Sequence, residues 1–401
     1  MQLMLAFAAL LVTSLSFTPP ATPANAAAVI AQETRAVTAF ELAVFAWDVA
    51  SLIPSNPHIK DRARMQEEAV TTLITLGDFE RSRAWIDSIG DWRKGAAWAE
   101  LAIAYARKGE IASAKACGEL ARAEARRAED WQRDLINAKV ARMLVLAGDD
   151  AGAVTLETGV RAAEGGQVSL ARMEKAEGAT LEAELVAMNE RLASKDFDVQ
   201  RNGIASYLEY FSRFYDNAEA RANAEERIAG AMKKVPAMLR FETNVQLAQV
   251  AAAHHDAASM TGYIDAAMST TTLSGWMPED RIRGIGRIAT VAAQGGDVTR
   301  SRALAAEALA QFEADYIKMP DVFRAAALRP TAEAYATLRD QPLALSTFLR
   351  VVEEGAKNPN ARPRAEDLAG TANALARMQF VPDAALWSRM QQVARGLQSP
   401  W

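Results

Sequence analysis

The sequence contains few of the residues that most metal sites and nucleophilic sites require. Its 401 residues include one cysteine, Cys117, and three histidines, His58, His254 and His255. A single cysteine excludes an intramolecular disulfide. His254 and His255 are adjacent, so on a helix they would point about 100° apart and could not bind one ion from the same face. We therefore expect no metal ion and no cofactor.

The common catalytic and phosphate-binding motifs are also absent. The chain has no Gly-rich phosphate loop, no G-x-S-x-G elbow and no H-E-x-x-H segment. The segment Gly284-Ile285-Gly286 lacks the third glycine of a dinucleotide-binding motif, and it lies within a helical pattern instead of following a strand. These absences predict that the protein is not an enzyme.

The chain has no excess of positive charge either. Its 45 basic and 50 acidic side chains give a formal net charge of −5. Binding to nucleic acid depends on basic side chains that displace counterions from the phosphates. We therefore expect no nucleic-acid partner.

The first 26 residues contain no charged side chain. An apolar run extends from Leu3 to Phe17 and is followed by Ala24-Asn25-Ala26, a typical cleavage pattern of secretory signals. This run is shorter than the roughly 20 residues that a membrane-spanning helix needs. The pattern predicts a signal peptide over residues 1–26 that is cleaved after Ala26. The mature chain would be periplasmic or secreted, with no stable membrane insertion.

The remainder of the chain has the apolar spacing of helices, without the alternation that is typical of strands. Trp98, Leu101, Ala102 and Tyr105 fall on one helical face, and the small side chain of Ala102 would allow a second helix to approach closely. Gly109 follows as a helix terminator, because glycine adopts the left-handed backbone conformation without strain. The segment therefore predicts two packed helices joined by a short turn.

This arrangement resembles the tetratricopeptide repeat, whose first helix has Trp, Leu, a small residue and Tyr at these spacings, and whose second helix has small residues at the places of Ala114 and Ala121. Gly118 departs from the pattern, since the family usually has an aromatic residue there. Related turns recur at Gly77-Asp78, Gly148-Asp149, Gly296-Asp297 and Arg339-Asp340, with a last copy at Pro382-Asp383. The resemblance implies an all-α, right-handed superhelical array of helical hairpins, a degenerate solenoid of this type.

The repeat spacing divides the mature chain into four segments. They are an N-terminal helical cap over residues 27–60, repeats over 61–165, an irregular helical connecting segment over 166–235, and repeats over 236–401. Residues 166–235 are compatible either with further repeats or with one long connecting helix, and Gly165-Gly166 is a candidate hinge. Pro330 falls inside a predicted first helix, which implies a kink or a late start of that helix.

A solenoid commonly binds segments of other proteins on the face that its first helices line. We therefore expect a non-catalytic scaffold or adaptor of the bacterial cell envelope that binds protein partners. The resemblance implies seven partner-binding candidates: Arg142, Gln249, Thr290, Arg329, Glu333, Asn373 and Arg377. The alternative is an enzyme, or an accessory subunit of one, that acts on the cell envelope. Some lytic transglycosylases have a similar alanine-rich superhelix, although no recognisable catalytic domain is present here.

Overall fold

The computed structural model describes residues 37–272 and 275–401. The predicted signal peptide lies outside this described part. Within it the chain forms 19 α-helices and one short 3-10 helix at Tyr316–Lys318, with no strand, as the sequence predicts. The helices are α1 Ala39–Leu52, α2 Ser55–Leu76, α3 Phe79–Ile86, α4 Arg93–Arg107, α5 Ile111–Ala125, α6 Asp130–Leu146, α7 Asp150–Glu157, α8 Gln167–Lys175, α9 Gly178–Ala193, α10 Phe197–Arg213, α11 Ala218–Met232, α12 Ala237–Ala253, α13 Ala257–Thr271, α14 Pro278–Gln294, α15 Val298–Asp315, α16 Asp321–Thr337, α17 Gln341–Ala356, α18 Ala361–Arg377 and α19 Ala384–Arg395.

The helices from α2 onward alternate between a first and a second helix of successive hairpins. The even-numbered helices α2 to α18 are the first helices, and each of them packs against the next first helix along the chain. Most also pack against the second helix that follows them, as α4 does against α5 and α12 against α13. This neighbour-to-neighbour packing is the arrangement expected of a helical solenoid.

One turn geometry ends seven of the first helices. In each, a residue with positive φ follows the helix, and the next backbone N–H donates to the carbonyl five residues earlier, as in Asp297 N to Ala292 O at 2.9 Å. The positive-φ residues are Gly77, Gly109, Gly148, His255, Gly296, Arg339 and Gln379. In several of these turns the following Asp then caps the second helix, as Asp297 does by accepting from Arg300 N. The sequence located most of these turns correctly.

Small residues set the distance between neighbouring first helices. Ala102 is fully buried in α4. Gly286 in α14 faces α16 so closely that an added Cβ would lie 2.8 Å from the backbone nitrogen of Thr331. The Gly284-Ile285-Gly286 segment thus serves helix packing in this fold.

Residues 166–235 form four helices in place of one long connecting helix. They are α8, α9, α10 and α11, arranged as two further hairpins. At the candidate hinge, Gly166 has φ +86° and is the N-cap residue of α8. Side chains of α10 cross this point, since Arg201 donates to the carbonyl of Ala163 and Asn202 to that of Ala162, both at 2.8 Å. The sequence of these hairpins contains neither a glycine that ends the first helix nor a clear copy of the repeat pattern.

The helix that contains Pro330 begins well before the proline. α16 starts at Asp321 and continues to Thr337, so the late start is not observed. The carbonyl of Pro330 accepts a hydrogen bond from Thr290 Oγ1 of α14 at 3.2 Å. Pro330 therefore lies on the side of α16 that packs against α14, and α14 supplies a hydrogen bond to its carbonyl.

The C-terminal helices pack against the N-terminal ones. α18 contacts both α1 and α2, so the contacts between first helices form a closed circuit through residues 37–401. We call this contact of α18 and α19 with α1 and α2 the closing interface. Phe45 and Trp387 meet edge to face with ring centroids 4.9 Å apart, and Arg64 pairs with Glu366 at 3.1 Å. The described part of the predicted N-terminal cap, residues 37–60, includes α1 and thus contributes to this interface.

Candidate partner-binding groove

The seven candidate residues all lie on first helices, but they form two separate groups. Arg142 of α6 and Gln249 of α12 line one groove. Arg329 and Glu333 of α16 lie near Asn373 and Arg377 of α18, and Thr290 of α14 contacts α16. The two groups differ in the contacts that their side chains make.

In the second group the arginines hold helices together. Arg329 Nη2 donates to the carbonyl of Asp367 at 3.2 Å. Arg377 Nη1 lies 3.3 Å from Glu68 Oε1 and 3.3 Å from Thr72 Oγ1, both on α2. Arg377 is therefore part of the closing interface. Both side chains already have protein partners, which makes them structural contacts of this fold.

Of the other members of this group, Asn373 is buried, whereas Glu333 and Thr290 are half-buried. Asn373 has no exposed surface, and neither its amide nitrogen nor its amide oxygen has a hydrogen-bond partner. Its expected position in an open groove is therefore not observed. Burial raises the pKa of Glu333, although the guanidinium groups of Arg329, Arg377 and Arg287 act in the opposite direction. The packing of α16 and α18 against neighbouring first helices therefore shields Asn373 completely and Glu333 in part.

The first group lines an open groove on α6, α8, α10 and α12. We call it the inner groove, and its volume is about 450 Å³. Its apolar surface comes from Leu170, Leu208 and Val250. Exposed polar side chains, including Gln246 and Gln249, lie along it. The complete lining is Arg142, Leu170, Ala205, Leu208, Glu209, Ser212, Gln246, Gln249, Val250, Ala253 and His254.

Charged side chains are concentrated at the Arg142 end of the inner groove. Arg142 donates to Gln167 and Glu174, and Arg107 of α4 also donates to Glu174, at 2.8 Å from Nη2. Burial raises the pKa of Glu174, but these hydrogen bonds outweigh it and hold the pKa below its usual value. Arg142 and Glu174 thus form a nearly self-contained ionic pair beside the groove.

Glu209 of α10 lies in the same groove without such a partner. Among the described residues no hydrogen bond or ion pair reaches its carboxylate. Burial raises its pKa, and the nearby negative charge of Glu174 raises it further, against opposing effects of Arg142, Arg107 and Arg213. The charged form of Glu209 is therefore less well compensated than that of Glu174.

His254 borders the inner groove at the end of α12. Its Nδ1 lies 3.1 Å from Asp216 Oδ1, and its ring stacks on that of Tyr215 with centroids 4.4 Å apart. His255, which follows it, has φ +57° and occupies the left-handed position of the turn. Asp256 N donates to the carbonyl of Ala251, so this polar segment forms the same turn as the glycine-containing segments.

Sequence reasoning missed the four residues that α10 contributes to the groove, namely Ala205, Leu208, Glu209 and Ser212. They lie in the segment with no clear copy of the repeat. α10 ends at Arg213, and no residue with positive φ follows it, in contrast to the ends of α12 and α14. The helical periodicity of residues 197–213 was the only available signal.

Three further features matter in the described residues: the single cysteine, any cluster of metal-binding side chains and any membrane-spanning helix. Cys117 is buried, and burial raises the pKa of its thiol to about 11. In the described residues, no group of three or more His, Cys, Asp or Glu side chains has an arrangement that could hold a metal ion. None of the described helices is both long enough and apolar enough to cross a membrane.

Comparison with known proteins identifies no matching family model, no matching curated protein and no matching solved structure. The class that the fold itself defines is an all-α array of sequential helical hairpins.

Proposed function

We propose that this protein is a non-catalytic interaction scaffold that binds a segment of a partner protein in the inner groove. The observation that supports this proposal best is the open groove on four successive first helices, in which apolar side chains lie beside polar ones. A groove of about 450 Å³ can hold a few side chains of a bound segment, and its polar rim can contact the segment's backbone. The exposed candidate Gln249 would contact the partner directly, and Arg142, paired with Glu174, would border the bound segment.

The repeated turns support a specific kind of solenoid. Seven first helices end in the same left-handed geometry, and small residues such as Ala102 occupy the helix contacts. We infer a degenerate array of the tetratricopeptide type from these features. In such arrays the first helices commonly contribute the binding surface.

We also propose that the protein works in the cell envelope after export. The proposal rests on the uncharged N-terminal segment, with its apolar run and Ala24-Asn25-Ala26. When the full chain is expressed in a bacterium, the intact mass of the periplasmic protein should correspond to a chain that begins at Ala27. Recovery of the full-length chain from the cytoplasm alone would contradict export.

Filling the inner groove tests the proposed binding function. Ala253 is exposed and lines the groove, so Ala253→Trp should occupy its volume with little effect on folding. Ala258 is exposed on the second helix α13, so Ala258→Trp is a matched control outside the groove. Tagged wild-type protein and both variants would be incubated with an envelope extract, and the captured proteins quantified by mass spectrometry.

We expect a stoichiometric partner with the wild type and with Ala258→Trp. Capture by Ala253→Trp should fall at least about tenfold, the factor that corresponds to about 1.4 kcal/mol of binding free energy. Equal capture by both folded variants would exclude the inner groove as the binding site.

A further inference from the structure

The inner groove contains one acidic side chain that the fold leaves without a partner. Glu209 is the acidic residue in the groove lining, and no other described residue forms a hydrogen bond or ion pair with its carboxylate. Nearby carboxylates are treated differently: Glu174 accepts from both Arg107 and Arg142. The helices therefore place a carboxylate without a hydrogen-bonded partner beside apolar surface.

The surrounding basic groups do not neutralise Glu209 directly. Arg142 is committed to Glu174 and Gln167, and Arg107 to Glu174. Arg213 donates to the backbone carbonyls of Met173 and Ala176 at 2.8 and 2.7 Å. These guanidinium groups are already hydrogen-bonded, so an incoming anion would find few free donors and a facing carboxylate.

We propose that Glu209 binds the cationic end of a lysine or arginine side chain of the partner segment. This inference rests on the proposed function and specifies the chemistry of the bound segment. The aliphatic stem would lie on Leu170, Leu208 and Val250, while the ammonium or guanidinium group meets the carboxylate. The raised pKa of Glu209 agrees with this arrangement, because a bound cation would supply the missing compensation.

The experiment uses two blocked peptides as probes, acetyl-Ala-Leu-Lys-Leu-Ala-amide and the same peptide with norleucine in place of lysine. The pair differs in the terminal ammonium group while the apolar stem is retained. Titration calorimetry would be performed with the wild type, with Glu209→Gln and with Glu182→Gln. Glu182 is an exposed carboxylate on α9 outside the groove, so its variant has the same loss of charge.

We expect the wild type and Glu182→Gln to bind the lysine peptide about tenfold more tightly than the norleucine peptide, a factor typical of one charge-assisted hydrogen bond. Glu209→Gln should bind both peptides equally, and with the affinity that the wild type has for the norleucine peptide. Circular dichroism would verify that each variant is folded.

Three results would overturn the inference. The first is equal binding of both peptides, or of neither, by the wild type, and the second is a lysine preference that persists in Glu209→Gln. The third is displacement of the lysine peptide by free cadaverine at equal concentration, which would indicate a site for small amines. The proposed function is tested separately by the Ala253→Trp capture experiment. If Ala253→Trp no longer captured the partner, the inner groove would be supported as the binding site even if Glu209 did not select lysine.

Discussion

At the scale of single residues, the carboxyl group of Asp367 in α18 is buried at the contact with α16. Asp367 is 8% exposed, and Asn358 Nδ2 lies 3.4 Å from its Oδ2. Arg329 Nη2 approaches its Oδ1 only to 3.8 Å. Burial raises the pKa of Asp367 to about 7 from 3.8, although Arg329 acts to lower it.

This shift predicts how stability depends on pH. In the folded protein Asp367 stays protonated up to about pH 7, whereas in the unfolded chain it ionises near its usual value of 3.8. Its stabilising contribution is therefore complete below about pH 4 and is lost as the pH rises to about 7. Asp367→Asn cannot titrate, so its free energy of unfolding should improve relative to the wild type over this range. The gain should be a few kcal/mol, since one pKa unit corresponds to about 1.4 kcal/mol.

Urea unfolding of both proteins at pH 5 and pH 8 would measure the effect. Asp130→Asn is the control, because Asp130 has an 82% exposed side chain. Its difference from the wild type should be nearly the same at both pH values. A wild type that loses no stability relative to Asp367→Asn by pH 8 would contradict the buried, protonated state.

At the scale of helices, the left-handed turn after the first helix is the feature that repeats most exactly. Four of the seven turns use glycine, but Arg339, His255 and Gln379 occupy the same position with φ between 52° and 57°. A residue with a Cβ atom is strained in this conformation by about 1 kcal/mol or more. These three residues keep the left-handed conformation because the packing of the two helices of each hairpin requires this turn between them.

Replacing the strained residue with glycine should therefore stabilise the protein. For Arg339→Gly we expect the free energy of unfolding to rise by about 1 kcal/mol or somewhat less, because glycine also increases the entropy of the unfolded chain. The reverse change, Gly296→Ala at the equivalent turn with φ +82°, should lower it by a similar amount. Chemical denaturation of both variants measures the two effects. If both changed stability in the same direction, the turn geometry would be wrong at one of the two sites.

At the scale of the whole described chain, the closing interface joins residues more than 300 positions apart. Phe45 of α1 and Trp387 of α19 make an aromatic contact there, and Arg377 contacts Glu68 and Thr72. Leu42 and Ala46 of α1 are buried at 1% and 0% exposure. Burial of this apolar face favours the closed circuit over an array with two free ends.

A double-mutant cycle would detect this contact in solution. We expect Phe45→Ala and Trp387→Ala to show a coupling energy of about 0.5–1.5 kcal/mol, as is usual for edge-to-face aromatic pairs. The control pair is Phe45→Ala with Trp131→Ala, because the ring of Trp131 packs on Trp92. Its effects should add within about 0.5 kcal/mol. Additive effects for Phe45 and Trp387 as well would indicate that the closing interface is not formed.

The sequence determined the helical class and most turns, because these depend on interactions between residues close in the chain. The spacing of Trp98, Leu101 and Tyr105 defines one buried face, and Gly109 ends the helix through a local backbone preference. Where the local signal was weak, as at the end of α10, the sequence left repeats and a connecting helix as alternatives.

The tertiary structure alone decided the surroundings of each candidate residue. Arg142 and Gln249 line an open groove, whereas Asn373 is buried and Arg377 contacts α2. All four lie on first helices, so their local pattern is the same. Their different environments arise because α18 packs against α1 and α2, a contact between distant parts of the chain that helical periodicity does not encode.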